Sequence, residues 1–122
     1  MIFFKVLLPK DSQAVVLEDS PMRIAWFQKR LPQVTICTSI KEFQAYFDRK
    51  PICDFIFLDH DLGEGNGNGV DAANEIKERF GGNTSAMLIH SWNHVGVKNM
   101  QAVLKDAPAM PFGNFELEVE KD

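Results

Sequence analysis

Glu18-Asp19, Asp59-His60-Asp61 and His90-Ser91 are the groups whose types and order could do chemistry. Each follows a short apolar run, at residues 14–17, 54–58 and 86–89. Runs of this length, bounded by polar or turn residues, read as strands buried on both faces. If the three strands are parallel, their carboxyl ends share one edge, which is where open α/β sheets bind ligands. Several carboxylates would then crowd into one place. Like charges so close raise each other's pKa unless a cation sits among them. A hard divalent ion with oxygen ligands, Mg²⁺ or Mn²⁺, resolves the crowding. Glu18, Asp19 and Asp59 are the candidate ligands, with Asp61 helping directly or through a neighbour. The plainer alternative is capping, with Asp19 ahead of Pro21 and Asp61 in a turn.

His60 and His90 stand at strand ends on the same edge. Either could move a proton near neutral pH or ligate a softer metal, so His60, His90 and Asp61 are the candidate catalytic groups. Ser91 and Asn93 precede a helix. Asn93 reads as its N-cap, or, with Ser91, as part of an anion site at a helix N-terminus. Arg23, one turn into the first helix, is a candidate phosphate clamp or else a solvated charge. Gly63, Gly65, Gly67 and Gly69 fit neither the dinucleotide fingerprint nor the P-loop. They read as a mobile rim of the site.

The elements that must position these groups alternate. Strands are expected at 2–8, 14–17, 34–37, 54–58 and 86–89, a last core strand at 110–112, and an alternating edge strand at 115–119. Helices are expected from Ser20-Pro21 to about Leu31, after a capping box at Ser39 and Glu42, through Ala72 to Phe80 with a stop at Gly81-Gly82, and from Val97 to Leu104. This pattern predicts one α/β domain over residues 1–122, a doubly wound parallel sheet of about five strands. The core spans about residues 14–112, and 1–13 and 113–122 add edge strands.

The chain has 122 residues, 45% of them hydrophobic, and a formal net charge of −4. That charge argues against general duplex nucleic-acid binding. No apolar run approaches the ~18 residues of a membrane span. Cys37 and Cys53 form no CxxC and no secretory signal precedes them, so a reduced, cytoplasmic setting is expected. The alternating 115–119 segment offers an edge for a homodimer.

The order acid pair, strand-end aspartate, strand-end hydroxyl is similar to receiver domains of response regulators. That resemblance implies a flavodoxin-like, receiver-like fold, with Glu18-Asp19 as the Mg²⁺ acid pair, Asp59 as the phosphorylated aspartate and Ser91, or alternatively His90, at the Thr/Ser position. Met110-Pro111-Phe112-Gly113 stands where a receiver carries Lys-Pro, and receivers lack His-Asp after the acceptor. The chain resembles more closely the cyclic-phosphate processing receiver domain family. Leu17-Glu18-Asp19 with Arg23, Asp59-His60-Asp61-Leu62-Gly63, Gly69-Val70-Asp71, and His90-Ser91-Trp92-Asn93 with Gly96, Asn99 and Met100 carry the likeness, over roughly residues 14–105. His94 departs from the family's proline. The resemblance implies metal-dependent processing of a cyclic phosphate on a nucleotide or an RNA end. Two rival readings are a phospho-accepting receiver with Asp59 as acceptor, and a degenerate receiver used as a binding module.

Overall fold

The computed structural model describes residues 4–81 and 86–121. Ile2 and Phe3 of the expected first strand, and Gly82 of the expected helix stop, lie outside them. The order is β1 (Phe4–Leu8), β2 (Ala14–Leu17), α1 (Pro21–Arg30), β3 (Val34–Cys37), α2 (Ile40–Asp48), β4 (Phe55–Leu58), α3 (Gly69–Phe80), β5 (Met87–Ile89), α4 (His94–Val103) and β6 (Phe115–Val119). The strands β3-β2-β4-β5 form one parallel sheet in that spatial order.

Side chains along a strand alternate between faces, and this splits the core in two. Val15, Leu17, Ile56, Leu58, Met87 and Ile89 pack against apolar residues of α2, α3 and α4. Ala14, Val16, Phe57 and Leu88 turn the other way, onto Phe27 and Leu31 and the inner side of the terminal strands. The sheet is therefore covered on both faces, as the alternating pattern predicts. No helix among the described residues is long and apolar enough to cross a membrane. Cys37 is a buried free thiol, and Cys53 a half-buried one packed against the same core.

The terminal strands pair with each other, in parallel, Val6 opposite Leu117. β1 occupies one side of 115–119 within the chain, so β6 is an edge strand of a two-stranded sheet, half-exposed as its alternation predicts. Val6, Leu8, Phe115 and Leu117 are buried there, while Lys5 and Glu118 pair on the outer face. The expected last core strand at 110–112 is corrected. Ala109 forms a single bridge with Ile89, and Met110 and Phe112 donate to the Ile89 and His90 carbonyls. Pro111 has no N–H with which to extend a ladder.

Local signals set the helix starts. Ser20 caps α1 and accepts from the Arg23 amide, and Pro21 takes the first helical position. Ser39 caps α2, but Glu42 reaches back to the Thr38 amide and hydroxyl instead of the Ser39 amide. A complete capping box stands instead at α3. Asn68 Oδ1 accepts from Val70 and Asp71, and Asp71 accepts from the Asn68 amide. Asn68→Ala is expected to cost about 0.5–2 kcal/mol, read as a lower urea midpoint at unchanged slope.

The glycine loop is pinned more firmly than a mobile rim would be. Asp61 and Asn68 form an antiparallel bridge across its base. Asn66 binds the Leu62 carbonyl through its side chain and offers its own carbonyl to the Ile40 amide. Gly67 has φ +80, and a Cβ there would strike the Ile40 side chain. Glycine meets both demands, a left-handed backbone and close approach.

Candidate metal and phosphate site

Parallel pairing brings the predicted groups together by continuing one residue past each strand. Leu17 lies opposite Leu58, and Leu58 opposite Ile89. Beyond them the Asp59 amide donates to the Leu17 carbonyl at 3.0 Å, and the His90 amide donates to the Leu58 carbonyl at 2.8 Å. Glu18, Asp59 and His90 thus occupy equivalent positions, each the first residue after its strand. Alternation turns all three the same way, toward the α1 side, where the His90 ring packs 5.2 Å from that of Phe27. One potential ligand atom from each lies within 4.8 Å of the others.

The cluster is buried, Glu18 1%, Asp59 4% and His90 0% exposed. Burial opposes the Glu18 charge. The hydrogen bonds from His90 and the Ser20 amide outweigh it and hold Glu18 below its ordinary value. Glu18 Oε2 also accepts from the Asp19 and Ser20 amides at 3.0 and 3.1 Å. Asp59 goes the other way. Burial, then the Glu18 charge, push it up to about 7, although its Oδ1 accepts from the His60 amide. Burial holds His90 below its ordinary value despite Glu18. A neutral His90 donates Nε2–H to Glu18 Oε1 at 3.0 Å, leaving Nδ1 buried without a partner among the described residues.

This donor set fits a divalent cation. It combines two carboxylate groups and an imidazole, one acid whose charge is suppressed for want of a counterion, and one orphaned ring nitrogen. Asp19 lies beside the cluster, its Oδ2 against Gly63, with its pKa raised by burial and then by Glu18. His90 joins Glu18 and Asp59 in the closest group, and Asp19 flanks it.

His60, one step further along β4, faces α4. His60 Nδ1 meets Asp61 Oδ1 at 2.8 Å. Asn93 accepts the Gly96 amide on Oδ1, so its Nδ2 faces the Asp61 carboxylate at 3.2 and 3.4 Å. The His60 hydrogen bond, then Asn93, hold Asp61 below its ordinary value despite some burial. An ionised Asp61 accepts a hydrogen bond from the Nδ1–H of His60, which leaves Nε2 as the ring's unprotonated nitrogen. A Cβ on Gly96 would overlap the His60 ring. That glycine, inside a helix where it costs stability, was a legible sign of close approach.

Of the expected phosphate contacts, Asn93 caps α4 through Oδ1 and turns its Nδ2 to Asp61. Ser91 is buried, and its Oγ accepts from the Asn93 amide at 3.0 Å. Arg23 lies beside the cluster. Its guanidinium lies 3.7 Å from Glu18 Oε1 and 5.1 Å from the centre of the Phe112 ring. Sequence reasoning missed Phe112, which packs His90 and Arg23 together from outside the motifs.

A family model described as the cyclic-phosphate processing receiver domain matches residues 14–106. Among solved structures, the phosphorylated cyanobacterial phytochrome response regulator RcpA is similar, with a TM-score of 0.68 and 18% identity over 82% of this chain and 79% of its own. A fusion carrying the yeast Spc42 trimeric coiled coil matches with a TM-score of 0.67 and 19% identity, over 92% of this chain and 71% of its own. At such identities the likeness establishes the receiver fold. No curated protein sequence matches the chain.

Proposed function

The chain belongs to the cyclic-phosphate processing receiver domain family, and from that premise we propose that it is a metal-dependent phosphoesterase opening a cyclic phosphate on a nucleotide or an RNA end. One observation carries the reading. A buried Glu18–Asp59–His90 cluster suited to a cation stands beside an oriented His60–Asp61 pair at a single sheet edge. A signalling receiver has no use for the second group.

Glu18, Asp59 and His90 would hold Mg²⁺ or Mn²⁺, with Asp19 at its side. When bound, the ion would polarise the phosphoryl group and lower the pKa of a bound water. Arg23 would bind the phosphate oxygens, its charge only partly offset by Glu18. His60 Nε2 would take the proton of the attacking water as the new P–O bond forms, and return it to the departing ribose oxygen as the ring opens. Asp61 keeps Nδ1 protonated throughout, and Asn93 keeps Asp61 in place. Both are positioning residues. Purified protein with Mg²⁺ or Mn²⁺ should convert 2′,3′- or 3′,5′-cyclic nucleotides to monoesters, followed by phosphorus NMR. No turnover across that panel, with metal binding demonstrated, would sink the proposal.

The second reading is a phospho-accepting receiver, favoured by Asp59 at the end of β4 in a fold shared with a phosphorylated response regulator. Against it, residues 109–113 contain no lysine. Beryllofluoride should change the spectrum of the wild type and leave Asp59→Asn silent if this reading holds. Silence in both proteins removes it.

A further inference from the structure

We propose that Trp92 is a stacking platform for the nucleobase next to the scissile phosphate, and that it accepts the four bases alike. This rests on the phosphoesterase reading for what happens at the phosphate, but base binding has its own readout.

Trp92 is 50% exposed, a large apolar ring left in water. It directly follows His90 and Ser91, in the loop between β5 and α4, so it stands at the sheet edge that bears the site. Its indole N–H donates to the Phe112 carbonyl at 2.9 Å. Two consequences follow. The ring is held in one orientation before any ligand arrives, which lowers the entropy cost of stacking on it. Its single polar atom is also spent on the protein, so the exposed ring offers a π face with no free hydrogen-bond group. Such a face holds any base and reads no hydrogen-bond pattern.

Phe112 ties this ring to the phosphate chemistry. The Phe112 amide donates to the His90 carbonyl at 2.8 Å, and its ring lies under Arg23, whose guanidinium reaches Glu18. One residue therefore fixes the stacking ring, the phosphate-binding cation and the buried cluster relative to one another. Met22 and Val95, in the first turns of α1 and α4, are 77% and 70% exposed and add apolar surface at the same edge. A nucleobase beside a phosphate is the chemistry that such a pairing of apolar face and cation recognises. The chain's net charge of −4 suits recognition of one terminal nucleotide better than tracking of a long backbone.

The test uses the full chain with Mn²⁺ and slow-reacting cyclic phosphorothioates of adenosine, cytidine, guanosine and uridine, with ethylene cyclic phosphate as a base-free control. The four nucleosides should quench the Trp92 fluorescence and bind with similar affinity by calorimetry. Trp92→Ala should weaken each by about 5- to 150-fold, the equivalent of about 1–3 kcal/mol of base–aromatic stacking. Trp92→Phe, which keeps a ring, should recover most of it. The control should bind both proteins equally. A short oligonucleotide ending in a 2′,3′-cyclic phosphorothioate distinguishes an RNA end from a free nucleotide by its greater affinity. Unchanged affinity in Trp92→Ala, binding without quenching, a strong preference for one base, or no nucleoside bound overturns the proposal. Binding and quenching without turnover of the corresponding phosphates would instead remove the phosphoesterase reading and leave the platform standing.

Discussion

His60→Ala is expected to lower kcat on a cyclic nucleotide by about 10²- to 10⁴-fold, the contribution of a positioned proton carrier, while KM changes little. The ring is tethered by Asp61 and seated over Gly96, so its atoms meet the site in one orientation. Imidazole in the buffer should restore part of the lost rate, because a small base can occupy the vacated space. A merely structural histidine would show no such rescue. Asp61→Asn should also reduce kcat, since an amide can offer the wrong atom to Nδ1 and release the tautomer. The two losses should combine less than additively, because Asp61 acts only through His60. Retention of kcat within a few-fold in His60→Ala would assign the proton to another group. His90 is the poorer alternative, being wholly buried with Nε2 on Glu18.

Asp59 should make the metal-free protein lose stability as pH rises. Its pKa is lifted from the ordinary carboxylate value to about 7, by burial first and by Glu18 second. The folded chain therefore holds this proton more tightly than the unfolded chain does. The sign follows. The Asp59 contribution is fully present below about pH 4 and is lost as pH climbs through about 7, at up to about 1.4 kcal/mol per pH unit. His90, depressed by burial, works in the opposite sense below its unfolded value. The clean measurement is thus the difference between wild type and Asp59→Asn in chelator-treated buffer across that window. The wild type should fall relative to the variant as pH increases. A divalent cation takes over the proton's place. At a hundredfold excess over its Kd, Mn²⁺ at pH 8 should stabilise the wild type by about 2.7 kcal/mol, a Tm rise on the order of 10 °C. Asp59→Asn should lose most of that rise. Equal metal shifts in the two proteins would place the cation elsewhere.

The elements were legible where the deciding interaction is local. Ala14–Leu17 is a continuous apolar run, and Ser20-Pro21 is a cap followed by the residue best suited to a first helical position, so both appear where the chain alone puts them. Glu42 was legible as a partner of the turn before α2, but not which amide it would take. The sheet edge was legible as well, since parallel strands must end together. Within that edge, the composition of the cluster was already implied by position. Glu18, Asp59 and His90 are each the first residue after an apolar run, so alternation sends them to one face. Reading acids by charge and histidines by chemistry separated residues that parity groups together.

What the chain by itself determined is the alternation of strand and helix, the strand-end polar groups, and the family motif that joins Asp59-His60-Asp61 to His90-Ser91. Those depend on neighbours a few residues apart. Three things waited for the tertiary structure. β1 and β6 pair across almost the whole chain, a choice made by shared burial of Val6, Leu8, Phe115 and Leu117 on α1. Residues 109–112 follow β5 through isolated backbone bonds, because prolines interrupt the donors. The two histidines part company by one step of register, His90 turned inward among carboxylates and His60 outward against Gly96. Burial and register are properties of the packed sheet, and they turn a row of polar strand ends into a buried carboxylate–imidazole cluster on one side and a hydrogen-bonded His60–Asp61 pair on the other.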